Sequence, residues 1–201
     1  MEPEILQENI SFFNKWAESY DLLLPLKLWF NHVQRKIIKS IQSNSRAKIL
    51  DIGCGTGDAL LMFKKKGFIH LNGLDLSSVM LAKARRKLGR KVVLKKSNVE
   101  KMPFQKDFFD IVISTEAFHH FPNPQKALQE INRIIKPQGR FYLADVNFFL
   151  LPVHWLFKKF EPGHVGINNK KQFRELFKQA GFKIVLQKRL GVFAILTVGE
   201  K

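Results

Sequence analysis

Ile49-Leu50-Asp51-Ile52-Gly53-Cys54-Gly55-Thr56-Gly57-Asp58 is the stretch whose reading decides the fold. The apolar run from Ala47 to Ile52, bounded by polar residues, reads as a buried parallel strand. Three glycines at alternate positions follow, and Asp58 opens the helical pattern Ala59-Leu60-Leu61-Met62-Phe63. Strand, glycine turn and helix start form the pocket that an α/β protein builds at the carboxyl end of its first strand. Glycine accepts positive φ and, lacking Cβ, lets a ligand lie against the backbone. The first helical turn leaves N–H groups facing the same space. A dinucleotide fingerprint spaces its glycines G-x-G-x-x-G. Here the spacing is G-x-G-x-G, with Asp58 in place of the third glycine of that pattern and Asp51 ahead of the first. Carboxylates beside the loop repel a pyrophosphate but suit a cationic ligand carrying an ammonium and a sulfonium.

Outward from this stretch, strands and helices alternate. Residues 69–76, 92–96, 109–114 and 140–145 read as strands; residues 77–88, 124–135 and 170–179 read as helices, with Ser77 a suitable N-cap for the first. Two closing strands, 182–188 and 192–198, are joined by Arg189-Leu190-Gly191 and must form a hairpin. The expectation is an α/β fold: a seven-stranded, mostly parallel sheet with one antiparallel edge strand and helices on both faces. Ahead of it, residues 4–24 and a second helix from Pro25 carry apolar stripes, the latter through Leu26, Trp29, Val33, Ile37 and Ile41. Residues 1–45 are expected to cap the domain behind them, and residues 1–201 to form one domain.

Lys and Arg number 34 against 17 Asp and Glu, a net charge of +17, which draws the chain toward anions such as nucleic acid, anionic lipid or an acidic substrate. The basic residues are spread along the chain with no arginine-rich tail, which weakens the nucleic-acid reading. Cys54 is the only cysteine, so no intrachain disulfide and no cysteine-cluster metal site forms, and a reducing cytoplasm is the expected compartment. No apolar run reaches the roughly 18–20 residues needed to span a bilayer, although peripheral membrane contact stays open.

The acid-x-G-x-G-x-G loop resembles the first motif of the class I S-adenosylmethionine (SAM)-dependent methyltransferases, with their Rossmann-like fold. Phe13-Asn14-Lys15-Trp16-Ala17-Glu18-Ser19-Tyr20-Asp21 is similar to the opening of methyltransferase type 11 and ubiquinone/menaquinone-type small-molecule enzymes. The resemblance implies that this segment caps the cofactor and that Tyr20 touches it; aromatics at this density otherwise serve as core. It further implies a cofactor site of Asp51, Gly53, Gly55, Gly57, Asp75, Leu76, Asn98, Val99 and Ser114, binding SAM and releasing S-adenosyl-L-homocysteine. Asp75, ending the second strand, can accept both ribose hydroxyls; the plainer alternative is a helix cap, a part that Ser77 already fills. In Ser97-Asn98-Val99-Glu100-Lys101-Met102-Pro103-Phe104, Asn98 replaces the family's adenine-reading Asp, and its side-chain oxygen still accepts a hydrogen bond. A polar turn is the alternative.

No catalytic residue is singled out. His119 and His120 in the loop after the fourth strand, Asp145 at the end of the fifth, and His164 are candidate bases, each with a structural alternative. Residues 146–169 read as a substrate-side insertion. Its apolar run, with Phe148 and Trp155, either lines an acceptor pocket or packs as an ordinary helix. No metal site is expected. The reading is methyl transfer to a small molecule, apolar or lipid/quinone-like. RNA or protein methylation, or SAM binding without turnover, are the alternatives, and the basic charge keeps nucleic acid open as a partner.

Overall fold

The computed structural model describes residues 2–20, 24–147 and 166–201. Two helices, α1 (Glu2–Tyr20) and α2 (Leu24–Ser40), precede an alternating body. That body runs β1 (Lys48–Ile52), α3 (Asp58–Lys65), β2 (His70–Asp75), α4 (Ser78–Leu88), β3 (Val93–Lys96) and β4 (Phe109–Thr115). A 3₁₀ turn (Phe118–His120) leads into α5 (Pro124–Ile134) and β5 (Ile135–Val146), and α6 (Lys170–Gln179), β6 (Lys183–Leu190) and β7 (Ala194–Glu200) complete the chain. The seven strands form one sheet in the order β3-β2-β1-β4-β5-β7-β6. The first five pair in parallel. The closing hairpin reverses β7, which pairs antiparallel with β5 on one side and β6 on the other.

Local chemistry sets the helix starts. The Ser77 hydroxyl accepts from Met80 N, and Asn123 accepts from Lys126 N ahead of Pro124 in the first turn of α5. At α6, Asn169 and Gln172 close a reciprocal capping box. Two apolar layers clamp the sheet. On one face Val33, Ile37 and Ile41 of α2 join Leu60 and Phe63 of α3 and Ala84 and Leu88 of α4 against Ile49, Ile111 and Leu196. On the other, Ile131 of α5 and Phe173 and Phe177 of α6 pack on Leu50, Val112 and Phe141. The stripe of α2 is therefore part of the main core, which ties the N-terminal helices to the body.

The end of α5 departs from the sequence expectation. Strand geometry begins at Ile135, directly after the helix, because this fully buried side chain pairs with Phe109. The chain then bulges through Lys136-Pro137-Gln138-Gly139, with Gln138 at φ 65, before pairing resumes at Arg140. The four residues between the expected helix 124–135 and strand 140–145 are thus an irregularity inside the strand.

Candidate functional site

Parallel pairing brings Ile52 beside Leu74 and Ser114, and Thr115 beside Ala144, so the strand ends meet at one edge of the sheet. A cleft of about 550 Å³ opens there, as the topology of an open α/β sheet favours. Asp51, Gly53, Gly55, Asp75, Leu76, Asn98 and Val99, all named from the sequence, line it. Gly57 and Ser114 are not on its wall.

The glycines have separate tasks. Gly53, Gly55 and Gly57 adopt φ values of 70°, 49° and 82°. A Cβ on Gly53 would lie 2.5 Å from Ala117 Cβ, so the bare backbone lets the loops after β1 and β4 approach each other. At Gly57 a Cβ would meet Leu88 Cδ1 at 2.7 Å and Ala84 Cβ at 3.2 Å. That glycine serves the packing of α3 against α4.

Asp75 is held from two sides: Gly55 N donates to its Oδ2 and Ser77 N to its Oδ1, each at 2.8 Å. Burial raises its carboxyl above the ordinary value, opposed by the backbone N–H groups of Ser77, Gly55 and Leu76. Asp51 is only 2% exposed, and its Oδ1 has no hydrogen-bond partner among the described residues. Burial first, and then the charge of Asp75, push the Asp51 carboxyl well above the usual carboxylate range. Asp58, by contrast, pairs with Lys87 Nζ at 2.5 Å, and the same ammonium donates to Thr56 Oγ1. Burial and the same two acids hold the Cys54 thiol high, so it is a neutral lining group and no nucleophile at neutral pH.

Asn98 Oδ1 accepts from Glu100 N at 2.9 Å, closing a local turn. One lone pair of this oxygen is therefore in use and the other is available to a ligand. Val99, 4% exposed, adds an apolar wall beside it.

The N-terminal helices roof the cleft with Phe13, Trp16, Trp29 and Phe30. Asn9 Nδ2 donates to His120 O, Ser77 Oγ donates to Asn14, and Lys83 reaches Ala17 O. The Phe13 ring stands edge-on to His120 at 4.8 Å, and Gln34 Nε2 donates to Thr115 Oγ1 at 3.4 Å.

His119 and Asp145, read separately from the sequence, come together here. His119 Nδ1 lies 2.7 Å from Asp145 Oδ1, with the two side chains 1% and 0% exposed. The contact at Nδ1 fixes the orientation of the His119 ring. His119 and His120 both line the cleft, with ring centroids 4.2 Å apart. Phe148, Trp155 and His164 lie outside the described residues, as does the side chain of Tyr20. Asn147 and Asn168, at the two ends of the insertion, are joined at 3.1 Å, so it leaves and re-enters at this edge.

Several lining residues carried no sequence signal as such. Glu116 sits at φ 52 directly after β4, a conformation uncommon outside glycine. Trp29 reads as core from its helical stripe, and Phe193 as part of a hairpin, yet their rings meet at 5.7 Å on the cleft wall. Among the described residues no group of three or more His, Cys, Asp or Glu could hold a metal ion.

Residues 50–143 match a family model described as a methyltransferase domain. The chain is 32% identical over 191 residues to an uncharacterized protein of Methanocaldococcus jannaschii, covering 94% of this chain and 66% of that protein. It is 29% identical over 199 residues to the chloroplastic 2-methyl-6-phytyl-1,4-hydroquinone methyltransferase 2 of Oryza sativa subsp. japonica, covering 94% and 56%. The chain thus spans between about half and two thirds of the length of these relatives. In fold it is similar to a chain of a Haloferax volcanii complex containing the Trm112 methyltransferase activator. The TM-score is 0.83 at 24% identity, over 94% of this chain and 96% of that one.

Proposed function

We propose that the chain, whose residues 50–143 match a methyltransferase domain, is a SAM-dependent methyltransferase acting on a small, apolar acceptor of quinol or lipid type. The observation that carries the reading is the stranded carboxylate of Asp51. A buried acid at the root of a glycine loop, with one carboxyl oxygen left without a partner among the described residues, favours a cationic ligand beside it. It suits the ammonium of SAM, Asp75 suits the ribose hydroxyls, and Asn98 with Val99 suits the adenine. Gly55, where a Cβ would meet nothing within 4 Å, leaves room for the ligand along the backbone.

When bound, SAM supplies a methyl carbon already activated by its sulfonium. The chain's own contribution is then positioning and exclusion of water, since an in-line transfer needs donor and acceptor aligned in a dry site. Phe13, Trp16, Trp29 and Phe30 provide the apolar roof. The His119–Asp145 pair provides a base: Asp145 holds the ring, and Nε2 receives the proton that a hydroxyl or acidic C–H acceptor must lose. The name of the rice relative specifies a phytyl hydroquinone, and the aromatic wall of Trp29, Phe30 and Phe193 suits that chemical class.

The charge of +17 favours RNA as a second reading of the acceptor. Incubation with methyl-labelled SAM and either a prenylated naphthoquinol or bulk RNA separates the two. Label in the quinol fraction alone supports the proposal; label in RNA alone overturns it.

A further inference from the structure

The cleft wall continues onto the surface as an apolar rim. Leu28 in the first turns of α2 is 62% exposed, and Val192 and Phe193 at the tip of the β6–β7 hairpin are 60% and 41% exposed. The two segments abut, because Trp29 meets Phe193, and a side chain at Gly191 would touch the Trp29 ring at 3.5 Å. Val146 pairs with Ala194, which places the hairpin tip at the same sheet edge as the glycine loop. Trp29 and Phe193 therefore line the cleft and Leu28 and Val192 flank them outside.

The two segments that form this rim are basic in sequence. Leu24–Ser40 carries Lys27, Arg35, Lys36 and Lys39 with no acid. Next to the hairpin tip, residues 188–198 carry Lys188 and Arg189, again with no acid. We infer that the rim of Leu28, Val192 and Phe193 docks on an anionic lipid surface, from which an apolar acceptor enters the cleft. Exposed large apolar side chains on segments that also carry cations match the boundary between anionic headgroups and acyl chains. RNA would satisfy the cations but leave Leu28 and Val192 in water. No helix of the described residues is long and apolar enough to cross a membrane. The inference rests on the cleft being the acceptor site proposed above.

The test is cosedimentation of the full chain with two kinds of vesicle, phosphatidylcholine alone and equal parts phosphatidylcholine and phosphatidylglycerol. The same samples are titrated with SAM. The wild-type chain is expected to bind the mixed vesicles at least about tenfold more tightly than the neutral ones, and less so as salt rises. Leu28→Ser with Val192→Ser, both outside the cleft lining, is expected to weaken vesicle binding by about tenfold or more with SAM affinity unchanged. Equal binding to both vesicles, full retention in the double variant, or binding to single-stranded RNA without binding to mixed vesicles would each overturn the inference. Rim-dependent vesicle binding in a chain that does not bind SAM would sink the methyltransferase reading and, with it, the acceptor route.

Discussion

Replacing Asp51 by Asn should make the protein more stable and a worse binder of SAM, and both effects follow from one stranded oxygen. Asp51 Oδ1 lacks a partner among the described residues, and burial together with Asp75 raises the carboxyl. A raised folded pKa means that the native state holds a proton the unfolded chain has released. Stability therefore falls as pH climbs from the ordinary carboxylate pKa toward the raised one. Below that window Asp51 is protonated in both states and the variant should match the wild type. Above it, stranding a charged rather than a neutral acceptor costs about 1 kcal/mol or more. For a chain of this size the Asn variant should then melt about 2–4 °C higher. The affinity moves the other way, because a charge-assisted bond to the ammonium is worth about 1.5–3 kcal/mol, or roughly 10- to 150-fold in Kd. Melting curves across pH 4–8 (about the range in which carboxylates and histidines titrate), with calorimetric SAM titrations at neutral pH, read both. A variant that is less stable at neutral pH, or that binds SAM as tightly as the wild type, refutes the reasoning.

Gly57→Ala should lower stability by several kcal/mol, since it combines a positive φ with a clash against Leu88, and SAM affinity measured on the folded fraction should change little. Equal loss of affinity and stability would return Gly57 to the binding site. Asp145→Asn should reduce kcat with a quinol acceptor by about 10²–10⁴-fold while leaving the SAM Kd in place, because the amide no longer stabilises the charged ring of His119. An unchanged kcat would make the pair a structural one.

The parts of the site that lie next to each other in sequence were legible there. A strand, three glycines and a helix start are local features, and Asp75 stands at the next strand end, where a parallel sheet returns the chain to the same edge. Contacts made by the topology itself were not. His119 and Asp145 are 26 residues apart and become partners only because β4 and β5 are neighbours and the 3₁₀ turn folds back over them. Trp29 fits a core stripe equally well whether its ring faces the sheet or a cleft, and periodicity does not record that difference. Asn98 illustrates a third case: its turn-closing bond to Glu100 N and a ligand contact use the same atom, so the residue type is compatible with both. The start of β5 was misplaced because Lys-Pro-Gln-Gly is turn-like locally, while burial of Ile135 draws the strand back past it.

The account stands most directly on which ligand the glycine loop accepts, and calorimetric titration of the wild-type chain and of Asp75→Ala with SAM and with NAD measures that. Asp75 has both carboxylate oxygens fixed by backbone N–H groups, with lone pairs left for a ribose. The wild type should bind SAM and not NAD, and Asp75→Ala should lose up to about 3–6 kcal/mol, two charge-assisted bonds, without loss of fold. Preference for NAD, or SAM affinity indifferent to Asp75, would contradict it.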